Sequence, residues 1–131
     1  MKNNLNKYLL ATLQDKPAKL TIDDGSKSPK DFFMVIGSKS PRLKRAIATY
    51  GVTINQNLEA LKDEEMSVDK VLKANELRNE ADNALAFEMI DSHSFSGASD
   101  DDIKNLLAQN DTLSTAIHAC SFDNGNYCEK K

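Results

Sequence analysis

Two histidines and two cysteines are the residues here best suited to chemistry, and three of the four, His118, Cys120 and Cys128, sit near the end of the chain. Imidazole and thiolate are zinc ligands, but a structural zinc site takes four ligands at recurrent spacings. A fourth ligand is missing, and the spacing matches no common pattern. Cys120 also falls on the apolar stripe of its helix, where a thiol reads as a small buried hydrophobe. His93 stands close to Asp91 and several serines. No serine or cysteine occupies an elbow-type motif, and adjacent residues do not make a triad. Asp100-Asp101-Asp102 lacks the alternation, glycine and closing glutamate of a calcium loop. Directly behind Ser99, it reads as acidic charge on a capped helix start. The five glycines are scattered and none forms a phosphate cradle. The basic run Lys39–Arg45 opens a helix, and such a start can dock on phosphates. Leu43, Ala46 and Ile47 give that helix a packed face, however, and the rest of the chain is acidic, so nucleic-acid binding is not the expected role. The expectation is a protein with no catalytic residue, metal or cofactor, whose work is binding other proteins.

The elements around these residues follow from periodicity and caps. Leu5, Tyr8, Leu9, Thr12 and Leu13 recur at helical spacing, and Asp15-Lys-Pro17 ends that pattern. Lys19–Asp23 alternates polar and apolar residues, and Phe32–Ile36 is a continuous apolar run closed by Gly37; together they predict an antiparallel hairpin over 18–37. A lone hairpin is barely stable in water, and an unpaired apolar strand edge recruits another strand. Self-association through the Phe32–Ile36 edge, with Phe33 and Val35 as contacts, is therefore expected. Ser40-Pro41 is a strong helix start, and Gly51 is expected to close the helix that follows. Residues 41–63 are thus read as short helices.

Ser67 caps the longest predicted helix, 68–90. Its Val71, Ala74, Leu77, Ala81, Leu85 and Met89 share one face, made shallow by alanine. Asp91–Ala98 is read as a loop. Two short helices fill 99–121, the first capped by Ser99 and the second by Asn110 or Asp111. Asn124-Gly125 makes a turn, Tyr127 is a last anchor, and the remaining residues to 131 fray. The fold class is therefore α+β and mostly helical, an N-terminal β-hairpin followed by a bundle of four to five helices. With 131 residues this is one domain, long enough to bury a core of its own.

Charge is unevenly spread. Residues 1–50 hold ten Lys/Arg against four Asp/Glu, and residues 51–131 hold seven against sixteen, within a net charge of -3. The chain is basic in front and acidic behind: the two halves face each other or are simply solvated, the alternative being two interaction surfaces of opposite sign. No run reaches the ~18 apolar residues of a membrane helix, and no signal-peptide core is present. Two cysteines fit free thiols in a reducing compartment.

Within Leu20–Tyr127 the order of elements resembles the tail assembly chaperones of lambda-like, long-tailed bacteriophages. The matching pieces are the strand ending Asp23-Asp24-Gly25, the strand Asp31-Phe-Phe-Met-Val-Ile-Gly37, and the Ser40-Pro41 helix start with its basic residues. Behind a variable middle come the helix running into Met89-Ile-Asp91, the Phe95 loop, the Ser99 cap, Leu106-Leu107 and Asn124-Gly125-Asn126-Tyr127. Where the family often has a Trp after the Asp matching Asp91, this chain has Ser92-His93. The resemblance implies a non-enzymatic protein of the host bacterial cytoplasm. It implies that the protein binds the phage tape-measure protein, keeps it soluble, helps recruit tail-tube subunits, and is absent from the mature virion. A groove between the 68–90 helix and the Ile103–Cys120 pair is the expected seat for tape-measure helices, with Leu77, Ala81, Leu85 and Met89 as contacts. The alternative is a structural tail or head–tail connector protein retained in the virion; a small nucleic-acid-binding protein comes third.

Overall fold

The computed structural model describes residues 9–127. The elements run α1 (Leu10–Leu13), β1 (Ala18–Thr21), β2 (Phe32–Val35), a 3-10 turn (Pro41–Leu43), α2 (Lys44–Leu61), α3 (Val68–Met89), β3 (Ile90–His93), α4 (Asp100–Gln109), α5 (Asp111–Phe122) and a closing 3-10 turn (Asn124–Tyr127). The fold is α+β and mostly helical. Of the expected N-terminal helix, Leu10–Leu13 forms a single turn, while Leu5 and Tyr8 lie outside the described residues, as does the expected fraying beyond Tyr127.

The hairpin forms, with Ala18 opposite Val35 and Thr21 opposite Phe32. Its turn uses Gly25 at φ 83°, a conformation that favours glycine, and the Asp23 carboxylate accepts the Gly25 N–H at 2.9 Å. The sheet does not stop at two strands. Ile90–His93, read from sequence as a helix end and a loop, pairs antiparallel with β2, giving the order β1-β2-β3. The Ile36 N–H donates to the Met89 carbonyl at 2.8 Å, and Ser94 extends the ladder by donating its N–H to the Phe32 carbonyl at 3.1 Å. Both edges of β2 are thus occupied, which corrects the expectation of a free Phe32–Ile36 edge for self-association. The apolar character of β2 has a simpler cause. It is the central strand, and Phe33 and Val35 are fully buried against the helices.

One core serves the whole domain. Phe33, Val35 and Ile36 from the sheet meet Leu85, Ala86 and Met89 of α3, Ile103 and Leu107 of α4, and Ile117 and Cys120 of α5. Three polar contacts tie the chain end to the sheet. Tyr127 donates its hydroxyl to the Val35 carbonyl at 2.9 Å, Ser121 Oγ donates to the Ile36 carbonyl at 2.7 Å, and the Ser38 N–H donates to the Ser121 carbonyl at 2.9 Å. Tyr127 is the anchor its position suggested.

Helix α2 is continuous through Gly51, against the expectation that Gly51 closes it. Only Gly25 and Gly97 have positive φ among the described glycines, so Gly51 is an ordinary helical residue. Packing on α3 carries the helix past it. Tyr50 donates its hydroxyl to Asp82 Oδ1 at 2.6 Å, and Leu61 is buried at the far end. Ser67 caps α3 by accepting the Lys70 N–H at 3.1 Å. Ser99 and Asp102 form a reciprocal capping box at 3.1 and 2.9 Å. Asn110, the single residue between α4 and α5, gives α5 no side-chain cap; its backbone N–H donates to the Leu107 carbonyl at 3.3 Å.

Candidate partner-binding groove

The α3 face singled out by periodicity is divided between core and surface. Met89 is fully buried and Leu85 nearly so, both within the core beneath the sheet. Leu77 and Ala81 lie further along, where α3 runs beside α2. Phe33 and Val35 are core residues without surface to offer a partner.

The space expected between α3 and the Ile103–Cys120 pair is filled. Ile103, Leu107 and Ile117 close it as solid core. The open groove lies on the other flank of α3, along its seam with α2, and has a volume of about 590 Å³. Its lining on α3 runs from Leu77 to Glu88, and on α2 from Arg45 to Asn57. Eleven steps of a helix span about 16 Å, or three turns, so the groove has the length of a short helix rather than of a compact metabolite. Small residues form its floor, among them Ala46, Thr49 and Thr53 on α2 with Ala81 and Ala84 on α3. Shallow floors let a helix backbone approach closely. The walls differ in charge: Arg42 and Arg45 stand on the α2 side, and Glu80 and Glu88 on the α3 side. Arg42 is already paired with Asp91 at 2.7 Å, which ties the start of the α2 segment to β3.

Beside the groove, a polar cluster joins α2, α3 and α5. The Tyr50–Asp82 bond holds α2 to α3, and the Asp82 carboxylate pushes the Tyr50 phenol above its usual pKa. His118 Nε2 lies 2.8 Å from the Asp82 backbone carbonyl. A carbonyl only accepts, so that nitrogen carries the proton. Ser114 Oγ donates to Asn83 Oδ1 at 2.5 Å. Every one of these groups has a structural partner, and the cluster acts as a clamp.

The other residues weighed for chemistry are placed apart. Cys120 is a buried free thiol whose pKa is raised by burial, and Cys128 lies outside the described residues. His93 Nδ1 accepts the Phe95 N–H at 3.2 Å. Among the described residues no group of three His, Cys, Asp or Glu could hold a metal ion, and no helix is long and apolar enough to cross a membrane.

Two features of the molecule had little sequence signal. Gln14 is fully buried, its Oε1 accepting the Lys39 N–H at 2.7 Å and its Nε2 donating to Asn124 Oδ1 at 2.5 Å. A glutamine between a helical turn and Asp15-Lys16-Pro17 carries no pattern that marks it as interior. The groove itself arises from α2 running on past Gly51, and the weak periodicity of Val52–Asp63 concealed that. No family model, curated protein or solved structure matches this chain.

Proposed function

We propose that this protein is a tail assembly chaperone of a long-tailed phage and that the α2–α3 groove holds helical segments of the tape-measure protein. The groove is the observation that carries the reading. It is open, about three turns long, floored by small residues and walled by opposite charges. An amphipathic helix laid there buries its apolar stripe and sets flanking charges against both walls. Shallow contacts of this kind give moderate affinity, as a chaperone that must later leave requires. The element order along Leu20–Tyr127 supports the same reading by its resemblance to that family. In the role so proposed, the protein acts in the host cytoplasm, keeps the tape-measure protein soluble, helps bring tail-tube subunits to it, and is absent from the finished virion.

Co-expression with a tape-measure protein from the same phage is the test. The natural chain should keep the long protein in the soluble fraction. Ala84→Arg and Thr49→Arg, both at exposed positions of the groove, should abolish that while leaving the melting temperature unchanged. If both variants fold and solubilise as well as the natural chain, the groove is not the site. Recovery of the protein in purified virions would overturn the chaperone role itself and favour a structural connector.

A further inference from the structure

The flank of α2 that carries Val52 is separate from the groove and points to a different partner; its Gly51, Asn55 and Leu58 also border a second cleft with Ala74, Asn75 and Arg78 of α3. Ala48, Gly51, Val52, Asn55 and Leu58 follow the i, i+3, i+4, i+7, i+10 spacing of a single helical face. Val52 is 56% exposed and Leu58 65% exposed. Gly51 is unusual among them. It is mid-helix with a negative φ, and a Cβ added to it would have nothing within 4 Å. Neither backbone conformation nor packing inside the protomer asks for glycine there, although glycine weakens a helix. A second backbone coming close to the outside of α2 would account for it. Charges bracket the face. Lys44 stands one turn before Ala48 and Glu59 one turn after Asn55, with no formal charge from Ala46 to Leu58. Lys44 makes no ion pair among the described residues, and Glu59 holds only an exposed local pair with Lys62 at 2.5 Å, which is easily exchanged.

We propose that α2 pairs antiparallel with α2 of a second copy of this chain about a two-fold axis at Gly51–Val52. In that register Val52 seats on Gly51 of the second copy, Ala48 meets Asn55, and Lys44 meets Glu59, each contact occurring twice by symmetry. A parallel pair would instead set Lys44 against Lys44 and Glu59 against Glu59, so charge selects the antiparallel arrangement. One helix face makes a small interface, and the dimer is accordingly weak and concentration-dependent. Its contacts leave the groove floor free, so it stands or falls apart from the proposed function.

Sedimentation of the full chain up to about 200 µM, a range where small interfaces associate, tests the pairing. The natural chain should shift from monomer to dimer as concentration rises. Gly51→Leu fits the open space and favours the helix, so it should fold normally and stay monomeric. Lys44→Glu should weaken dimerisation about tenfold or more, and Lys44→Glu combined with Glu59→Lys should restore it. A natural chain that is monomeric throughout, a Gly51→Leu dimer of unchanged affinity, or a double variant as weak as the single one would each overturn the proposal.

Discussion

Gly37→Ala should be among the most damaging single-methyl changes in this protein, although it is conservative and Gly37 has no positive φ. A Cβ at Gly37 would overlap the Gln14 Cβ outright and come within 2.6 Å of its Cγ. The Gln14 Cβ is fixed to the backbone, so rotation of the side chain cannot relieve the clash. The segment around α1 must move, and it is held at this spot by more than contact. Gln14 accepts the Gly37 N–H through its carbonyl at 3.0 Å and the Lys39 N–H through Oε1 at 2.7 Å, and Ser40 Oγ donates to Asp15 at 2.8 Å. Overpacking a tight site costs about 1–3 kcal/mol, and each weakened buried hydrogen bond adds about 1 kcal/mol. A loss of about 2–4 kcal/mol is expected, or about 6–15 °C in Tm for a chain of this size. Thermal and urea unfolding read it directly. Gly51→Ala is the internal control: the same added methyl enters open space in a helix and should stabilise by about 0.5–1 kcal/mol. Replacing Gln14 by Ala in the Gly37→Ala background keeps the offending Cβ and should not rescue, whereas Gln14→Gly removes it and should recover part of the loss. A Gly37→Ala protein that melts with the natural chain would refute the close approach of these two segments.

Two further outcomes follow from the capping box and the buried phenol. Ser99→Ala should lower unfolding free energy by about 1 kcal/mol in urea, and adding Asp102→Ala should cost less than the sum of the singles, because the two side chains share one reciprocal motif. Burial of Tyr127 raises its phenol pKa well above the ordinary value of 10.0. A raised folded-state pKa means that its stabilisation is complete below pH 10 and is lost as pH climbs above 10, where the unfolded chain has already released the proton. Stability measured by urea titration should therefore fall steeply on the alkaline side. Tyr127→Phe should flatten that fall and cost about 1 kcal/mol at neutral pH through the unpaired Val35 carbonyl. An unchanged alkaline profile in the variant would show that the phenol titrates as if exposed.

Caps and apolar runs were legible from sequence because their causes are local. Ser40-Pro41, Ser67 and Ser99-Asp-Asp-Asp102 start helices through bonds that reach two or three residues along the chain. The Phe32–Val35 strand was equally clear from its continuous apolar run, although its place in the middle of the sheet was not. What covered its second edge was not local. Ile90-Asp-Ser-His93 is too polar to read as a strand, and it becomes one because α3 delivers it alongside β2, where backbone groups rather than side chains make the bonds. The misplaced groove has a related origin. Periodicity marked the inward side of α3 from Ala74 to Met89 but wrongly included Val71, which is exposed, and neighbours separated by many residues decide what each turns toward. Leu85 and Met89 meet the sheet and α4–α5, while Leu77 and Ala81 meet α2.

Helix α2 is where sequence reading failed most and where both proposals converge. A helix packed on one side and bare elsewhere ordinarily shows charges on its outer turns, and that contrast makes its period visible. From Ala46 to Leu58 this helix has none, and Gly51 interrupts the pattern further. One face joins α3 through Tyr50 and Leu61, an adjacent face floors the groove with Ala46, Thr49 and Thr53, and the outer face carries Ala48, Gly51, Val52 and Leu58. Three surfaces share these uncharged turns. Uncharged turns left exposed in the monomer need another cover, and that is the physical ground for a binding role. Substituting Lys at Thr53, on the groove side, and at Val52, on the outer side, separates the two uses. Loss of tape-measure binding with intact dimerisation is expected from the first and the reverse from the second, and loss of both from either would mean that α2 serves a single interface.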